Sequence, residues 1–222
     1  MFPLYVACRH GHTEIARRLL EANANVHVER REGSSALHVA AANGYAECVA
    51  LLLEANAQVA HWNYLGVGPL FAACTEGAHH GVVKLLLEAK APVEGSGTLP
   101  TKLTPLAGAA MQGHHRSVAL LLASGADTGA TSIHGLTALD HATRGGHDEC
   151  ISLLEEAHSS SPPGSPGGGS REAVHAQAEK RMLDQDAAHP QALRSSRSSR
   201  EVASRDGFSR ASTRKSVGFA GA

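Results

Sequence analysis

A dipeptide ending in leucine returns along this chain at Pro3-Leu4, Ala36-Leu37, Pro69-Leu70, Pro105-Leu106 and Ala138-Leu139, at intervals of 33, 33, 36 and 33 residues. A period of that length constrains the fold more tightly than any composition does. Each copy is too short to bury a core of its own and has to stack on its neighbours. Three residues after each leucine stands an alanine (Ala7, Ala40, Ala73, Ala109, Ala142), and one further stands a small residue (Cys8, Ala41, Cys74, Ala110, Thr143). Both positions are expected to face a close neighbour.

Seven residues after each leucine comes a glycine: Gly11, Gly44, Gly77, Gly113 and Gly146. One glycine per unit marks the end of a first helix, where a left-handed residue is needed. Apolar residues at helical spacing follow in Ile15 to Leu20, Cys48 to Leu53, Val82 to Leu87, Val118 to Leu122 and Cys150 to Leu154, so each unit reads as helix, turn, helix. Aromatics are only 4% of the chain, which suits helix packing through small residues better than a β-sandwich.

These residues resemble the ankyrin repeat, whose pattern runs Thr-Pro-Leu-His-x-Ala-Ala, Gly-His, a leucine-rich second helix, Gly-Ala-Asp and a β-hairpin. Ser35 to Ala41 is the nearest copy, and Gly-His stands complete at Gly11-His12, Gly113-His114 and Gly146-His147. The resemblance implies an all-α repeat solenoid of helix-turn-helix units joined by β-hairpin loops. Its units are expected at residues 1–28 (lacking a leading hairpin), 29–60, 61–94, 95–130 and 131–157, the last a C-terminal cap in which Glu155 replaces a leucine. Tyr5, Phe71, Ala107 and Asp140 replace the first-helix histidine, and Asn23, Asn56 and Lys90 replace a glycine after the second helix. The third unit carries a one-residue insertion near Gly77 to Gly81, and the hairpin from Glu94 to Thr104 is two residues longer. With no hairpin before Pro3, the first unit exposes the outer face of its helices, so either a frayed first unit or an upstream segment is expected.

Residues 158–222 are rich in Ser, Gly, Arg and Ala and poor in large aliphatics. Such a composition cannot offset the entropy of ordering, and a disordered tail is expected. Arg171 to Ala188 has only a thin apolar stripe, at best a helix induced by a partner. Ser212 and Ser216, behind basic residues, are candidate phosphorylation sites.

Residues 1–157 hold 10 Lys+Arg against 15 Asp+Glu, and the remainder 10 against 6. A mildly acidic body with a mildly basic tail offers no broad basic face and argues against nucleic acid as a partner. Nothing resembles an apolar membrane span or a signal peptide, and Cys8, Cys48, Cys74 and Cys150 form neither CxxC pairs nor a disulfide framework. An intracellular monomer is expected, cytoplasmic or nuclear. Cys8 and Cys74, two units apart, are expected beyond disulfide reach.

No phosphate loop, nucleophile elbow or His-Glu-x-x-His occurs, so neither enzyme nor cofactor chemistry is expected. The histidines of the Gly-His turns and His38 take structural hydrogen-bonding roles in the family. His79, His80, His114 and His115, in equivalent turns of adjacent units, are the one conceivable zinc cluster, and they lack a third-ligand pattern. The resemblance implies instead a protein-binding scaffold, alone or as a recruiting adaptor within a larger ligase, kinase or membrane-linked assembly, and an enzyme of unrecognised chemistry is the remote alternative. In the family, hairpin tips and inner helices line a concave contact face. Those positions fall here on Trp62, Tyr64, Leu65 and Val67, with Thr75 and Glu76 on the third unit's inner helix and Met111 and Gln112 on the next. The competing reading of Trp62 is that it folds back towards Leu99 and Leu103.

Overall fold

The computed structural model describes residues 2–30, 32–95 and 99–160. Among them are ten helices: α1 (Pro3–Arg9), α2 (Thr13–Glu21), α3 (Ala36–Ala42), α4 (Ala46–Glu54), α5 (Pro69–Thr75), α6 (His80–Glu88), α7 (Pro105–Met111), α8 (His115–Ala123), α9 (Ala138–Gly145) and α10 (Asp148–Ser160). Ser212, Ser216 and the expected tail from residue 161 onwards lie outside the described residues.

Helices of seven to nine residues are too short to persist alone in water. Their starts are set locally. Proline occupies the first turn of α1, α5 and α7, where its missing N–H costs nothing. Ser35 with His38 and Thr137 with Asp140 close capping boxes on α3 and α9, and the Thr104 hydroxyl accepts from the Ala107 amide on α7.

Each odd-numbered helix packs on its even-numbered partner and on the next odd-numbered helix, which gives an inner row, an outer row and a continuous core between them. Leu37, Leu52, Leu70, Leu86, Leu106 and Leu121 are all buried, as the register requires. The alanine after each leucine is buried in every unit. The next small residue is buried in four units, but Thr143 is exposed, because no described helix lies beyond α9 to cover it.

Four of the five turn glycines have positive φ, among them Gly11 (69°) and Gly113 (72°). Gly77 does not. The inserted residue delays α6 to His80, ten residues after Leu70, whereas α4 starts nine after Leu37, and the extra residue makes the reversal without a left-handed glycine. Lys90 takes φ 64° where Asn23 and Asn56 take 57° and 58°.

The expected hairpins contain almost no strand: the sole bridge among the described residues pairs Glu29 with Ser35. They are tight turns instead. Gly33 N–H donates to Arg30 (2.8 Å), Gly66 to Asn63 (2.8 Å), Lys102 to Leu99 (2.9 Å) and Gly135 to Ser132 (2.9 Å). Neighbouring turns are joined by Tyr64 N–H to the Glu32 carbonyl (3.1 Å) and Ile133 N–H to the Thr101 carbonyl (3.0 Å). The equivalent donor in the third turn would be Pro100, which has no N–H. The final helix continues through His158 and Ser159 to Ser160, past the expected end at 157, with the Ser159 hydroxyl donating back to the Glu155 carbonyl (2.6 Å).

Candidate functional site

The turn from Trp62 to Val67 is held from three sides. Asn63 organises it: its side-chain oxygen accepts the amides of Leu65 (3.0 Å) and Val67 (3.0 Å), and its side-chain nitrogen donates to the Ser34 hydroxyl of the previous turn (3.3 Å). The Asn63 amide donates to the Val67 carbonyl (3.0 Å), and His38 Nε2 meets the same carbonyl at 3.1 Å. A two-residue tip is thereby fixed outward. Tyr64 is 76% exposed and Leu65 63%, while Trp62 is 37% exposed with its ring against Gly68. Val67 is half-buried and acts through its backbone. Leu99, the alternative neighbour proposed for Trp62, is itself buried.

Thr75 and Glu76 lie at the far end of α5, about 9 Å along the helix axis from its start beside this turn. Gln112 joins them by donating its side-chain amide to the Thr75 carbonyl (3.2 Å), and Met111 is exposed next to it. Thr75 is half-buried, its methyl packed where Gly108 leaves room, and Glu76 and Gln112 are exposed. The expected contact residues thus form two groups along one helix row: an aromatic-aliphatic turn tip and a polar group with one methionine.

A histidine chain beneath the tip was not foreseen from sequence beyond His38. His38 is 3% exposed. Its Nδ1 accepts the Ser35 amide (3.2 Å) and lies 2.9 Å from the Ser35 hydroxyl. Its ring stands edge-on to His61 at 5.4 Å between centroids, and His61 Nε2 meets Glu29 at 3.0 Å. Burial drives the His38 pKa down to about 4, although the Val67 carbonyl favours the charged form. His38 is therefore neutral at pH 7, with Nδ1 free to accept and Nε2 carrying the proton.

Two other histidines of the turns also reach neighbouring backbone: His114 Nδ1 meets the Cys74 carbonyl at 2.8 Å and His147 Nε2 the Met111 carbonyl at 3.1 Å. Among the described residues no three His, Cys, Asp or Glu side chains are drawn together as metal ligands. All four cysteines are buried and unpaired. Cys8 sits beside Cys48 of the next unit, a contact that comparing Cys8 with Cys74 overlooks. Burial first and that neighbour second push its thiol up to about 12, so it is inert as a nucleophile.

Stacked helix pairs joined by tight, outward-facing turns define a helical repeat solenoid. A family model described as ankyrin repeats (3 copies) matches residues 1–63 and 70–161, and the chain belongs to the ankyrin repeat family. Ankyrin repeats are generally protein–protein interaction modules and typically non-catalytic. No curated protein matches the chain. Among the described residues, no helix is long and apolar enough to cross a membrane.

Proposed function

We propose that this array is a non-catalytic scaffold that binds a protein partner through the turn tip Trp62–Val67, with Thr75, Glu76, Met111 and Gln112 extending the contact along the inner helices. The observation that carries the reading is the combination of exposure and rigidity at the tip. Two large apolar side chains are held in solvent by a turn whose backbone is fixed by Asn63, Ser34 and His38. Holding apolar anchors ready in water lowers the ordering cost of association, and aromatic anchors carry a disproportionate share of interface energy. Four free, buried cysteines support a reducing compartment, cytoplasm or nucleus, as the place where it works.

The test is affinity capture with the full chain, followed by a dissociation constant for the captured protein against wild type and a Trp62→Ala, Tyr64→Ala double variant. Binding should weaken by about 2 kcal/mol or more with the fold intact. A folded double variant that binds undiminished moves the site elsewhere on the array.

A further inference from the structure

The tight turns between units share one pattern, so they can be compared position by position. A carbonyl acceptor on Arg30, Asn63, Leu99 or Ser132 takes the amide of the residue three further on, which is Gly33, Gly66, Lys102 or Gly135. That last position is left-handed in all four turns, with φ of 76°, 78°, 51° and 71° in the same order. Glycine adopts this conformation freely, whereas a side chain strains it. Three turns use glycine and one keeps a lysine. Lys90 is left-handed too, but its equivalents Asn23 and Asn56 carry side chains in the same conformation. Lys102 has no such company among the described turns.

Lys102 is exposed, and among the described residues no ion pair joins it. Its turn lies between two apolar tips. Tyr64 and Leu65 stand exposed on the preceding turn, and Ile133, 51% exposed, stands on the following one. The Ile133 amide donates to the carbonyl of Thr101, the neighbour of Lys102, at 3.0 Å, which fixes the fourth and fifth turns to each other. Earlier in the same row, the charge of Arg30 is already met by Glu32 at 3.9 Å. Lys102 is therefore a cation held between apolar groups, at a backbone position where glycine would serve the turn better. Strain of this kind, kept at an exposed position, points to a functional use of the side chain.

We propose that the contact surface of the Trp62 turn continues along the turn tips to Lys102 and Ile133 and takes an acidic peptide segment of the partner. A carboxylate of that segment meets Lys102, between one apolar side chain set against Tyr64 and Leu65 and another set against Ile133. The proposal rests on the reading of the Trp62 turn as a partner site and gives that partner a chemistry. Helix pairs stack roughly 8–10 Å apart, so the third and fifth turns are separated by roughly 16–20 Å. An extended chain spans that distance in about six residues, which places the acid near the middle of the segment. A carboxylate suits the site better than a phosphoryl group. One lysine is a single point charge, whereas phosphate recognition draws on several donors or on the fork of an arginine, and Arg30 is engaged by Glu32. Exposed ion pairs contribute little energy, so Lys102 selects the segment and sets its register while the apolar contacts supply affinity.

Selection of displayed random peptides on the full chain, followed by fluorescence anisotropy of the synthesised winners, tests it. Winners should carry an acidic residue between two apolar ones. Lys102→Gly should weaken their binding severalfold without lowering the unfolding midpoint, because glycine suits the turn, so a folding defect cannot mimic the result. Lys102→Glu should weaken binding about tenfold, and a winner whose acid is exchanged for lysine should recover on that variant. Ile133→Asp, at an exposed position, should also cost about tenfold. Winners lost with the Trp62→Ala, Tyr64→Ala double variant but indifferent to Lys102→Gly and Ile133→Asp overturn this extension and leave the Trp62 turn standing as a site. Winners indifferent to every one of these variants, or a selection without winners, overturn both. Competition by inorganic phosphate beyond that of chloride at equal ionic strength overturns the extension too, assigning Lys102 to a phosphoryl group.

Discussion

Acidification should destabilise the array through His38, by an amount set by its burial. In the unfolded chain this imidazole titrates at its ordinary 6.5, and in the fold near 4. Between those values the unfolded state binds more protons, so folding stability is present above 6.5 and is lost as pH falls towards 4. A gap of 2.5 pH units at 1.36 kcal/mol each gives about 3 kcal/mol. Against a typical domain stability of about 5–15 kcal/mol that loss is large. The structural cause is specific. A proton on Nδ1 removes the acceptor used by the Ser35 amide and places a charge beside His61. The same imidazole braces the Val67 carbonyl, so the exposed tip should loosen with the unit. Urea unfolding followed by circular dichroism at several pH values between 7.5 and 4 measures the slope, and His38→Gln isolates this histidine from the other fourteen. The variant can keep the capping box through its side-chain oxygen but loses the buried imidazole that meets the Val67 carbonyl. It should therefore be less stable at pH 7, while its stability should fall with pH by about 3 kcal/mol less than wild type. Parallel profiles for the two proteins would refute the assignment, whatever their absolute stabilities.

Two further outcomes follow from packing and backbone geometry. Leu52, fully buried between helix pairs, should cost about 2–5 kcal/mol as Leu52→Ala in thermal or urea unfolding, while exposed Glu54→Gln changes little, and an unchanged midpoint for Leu52→Ala would contradict the register. Lys90, left-handed at φ 64°, should be replaceable by glycine with a gain of about 1 kcal/mol, and a loss of stability on Lys90→Gly would show that its side chain contributes more than its backbone costs.

The parts of the fold governed by the period were legible in the sequence. Leucines at one register position, alanines three residues on and leucine-rich second helices report burial directly, because every unit meets the same surroundings. The parts governed by departures from the period were not. Gly77 matches its equivalents in sequence but not in φ, since a single inserted residue nearby changes how the chain reverses. Thr143 occupies a buried register position and is exposed, because the pattern specifies which way a residue faces and not whether anything stands there. The contact of Cys8 with Cys48 and the chain from Glu29 through His61 to His38 join residues of different units. A repeat read along the sequence gives the contents of each unit more readily than the side-chain meetings between units. At the site, the position of Trp62, Tyr64 and Leu65 at an exposed turn could be foreseen from the family pattern. The half-burial of Val67 could not, nor could the contact of its carbonyl with His38, 29 residues away.

The turn glycines carry one more consequence. A Cβ on Gly11 would fall 2.6 Å from the Tyr45 ring, one on Gly113 would fall 2.6 Å from the His147 ring, and one on Gly44 would strike His79. In each case the ring belongs to the residue preceding the second helix of the next unit. The fourth unit departs from this: His114 reaches the Cys74 carbonyl, and it follows the unit whose Gly77 is not left-handed. Three of the four boundaries thus join a matched pair, a bare backbone on one side and a ring fitted to it on the other. The units are consequently not interchangeable modules. Reordering them would set rings against backbones shaped for other partners, so the sequence of units along the chain is itself part of what the amino acids encode.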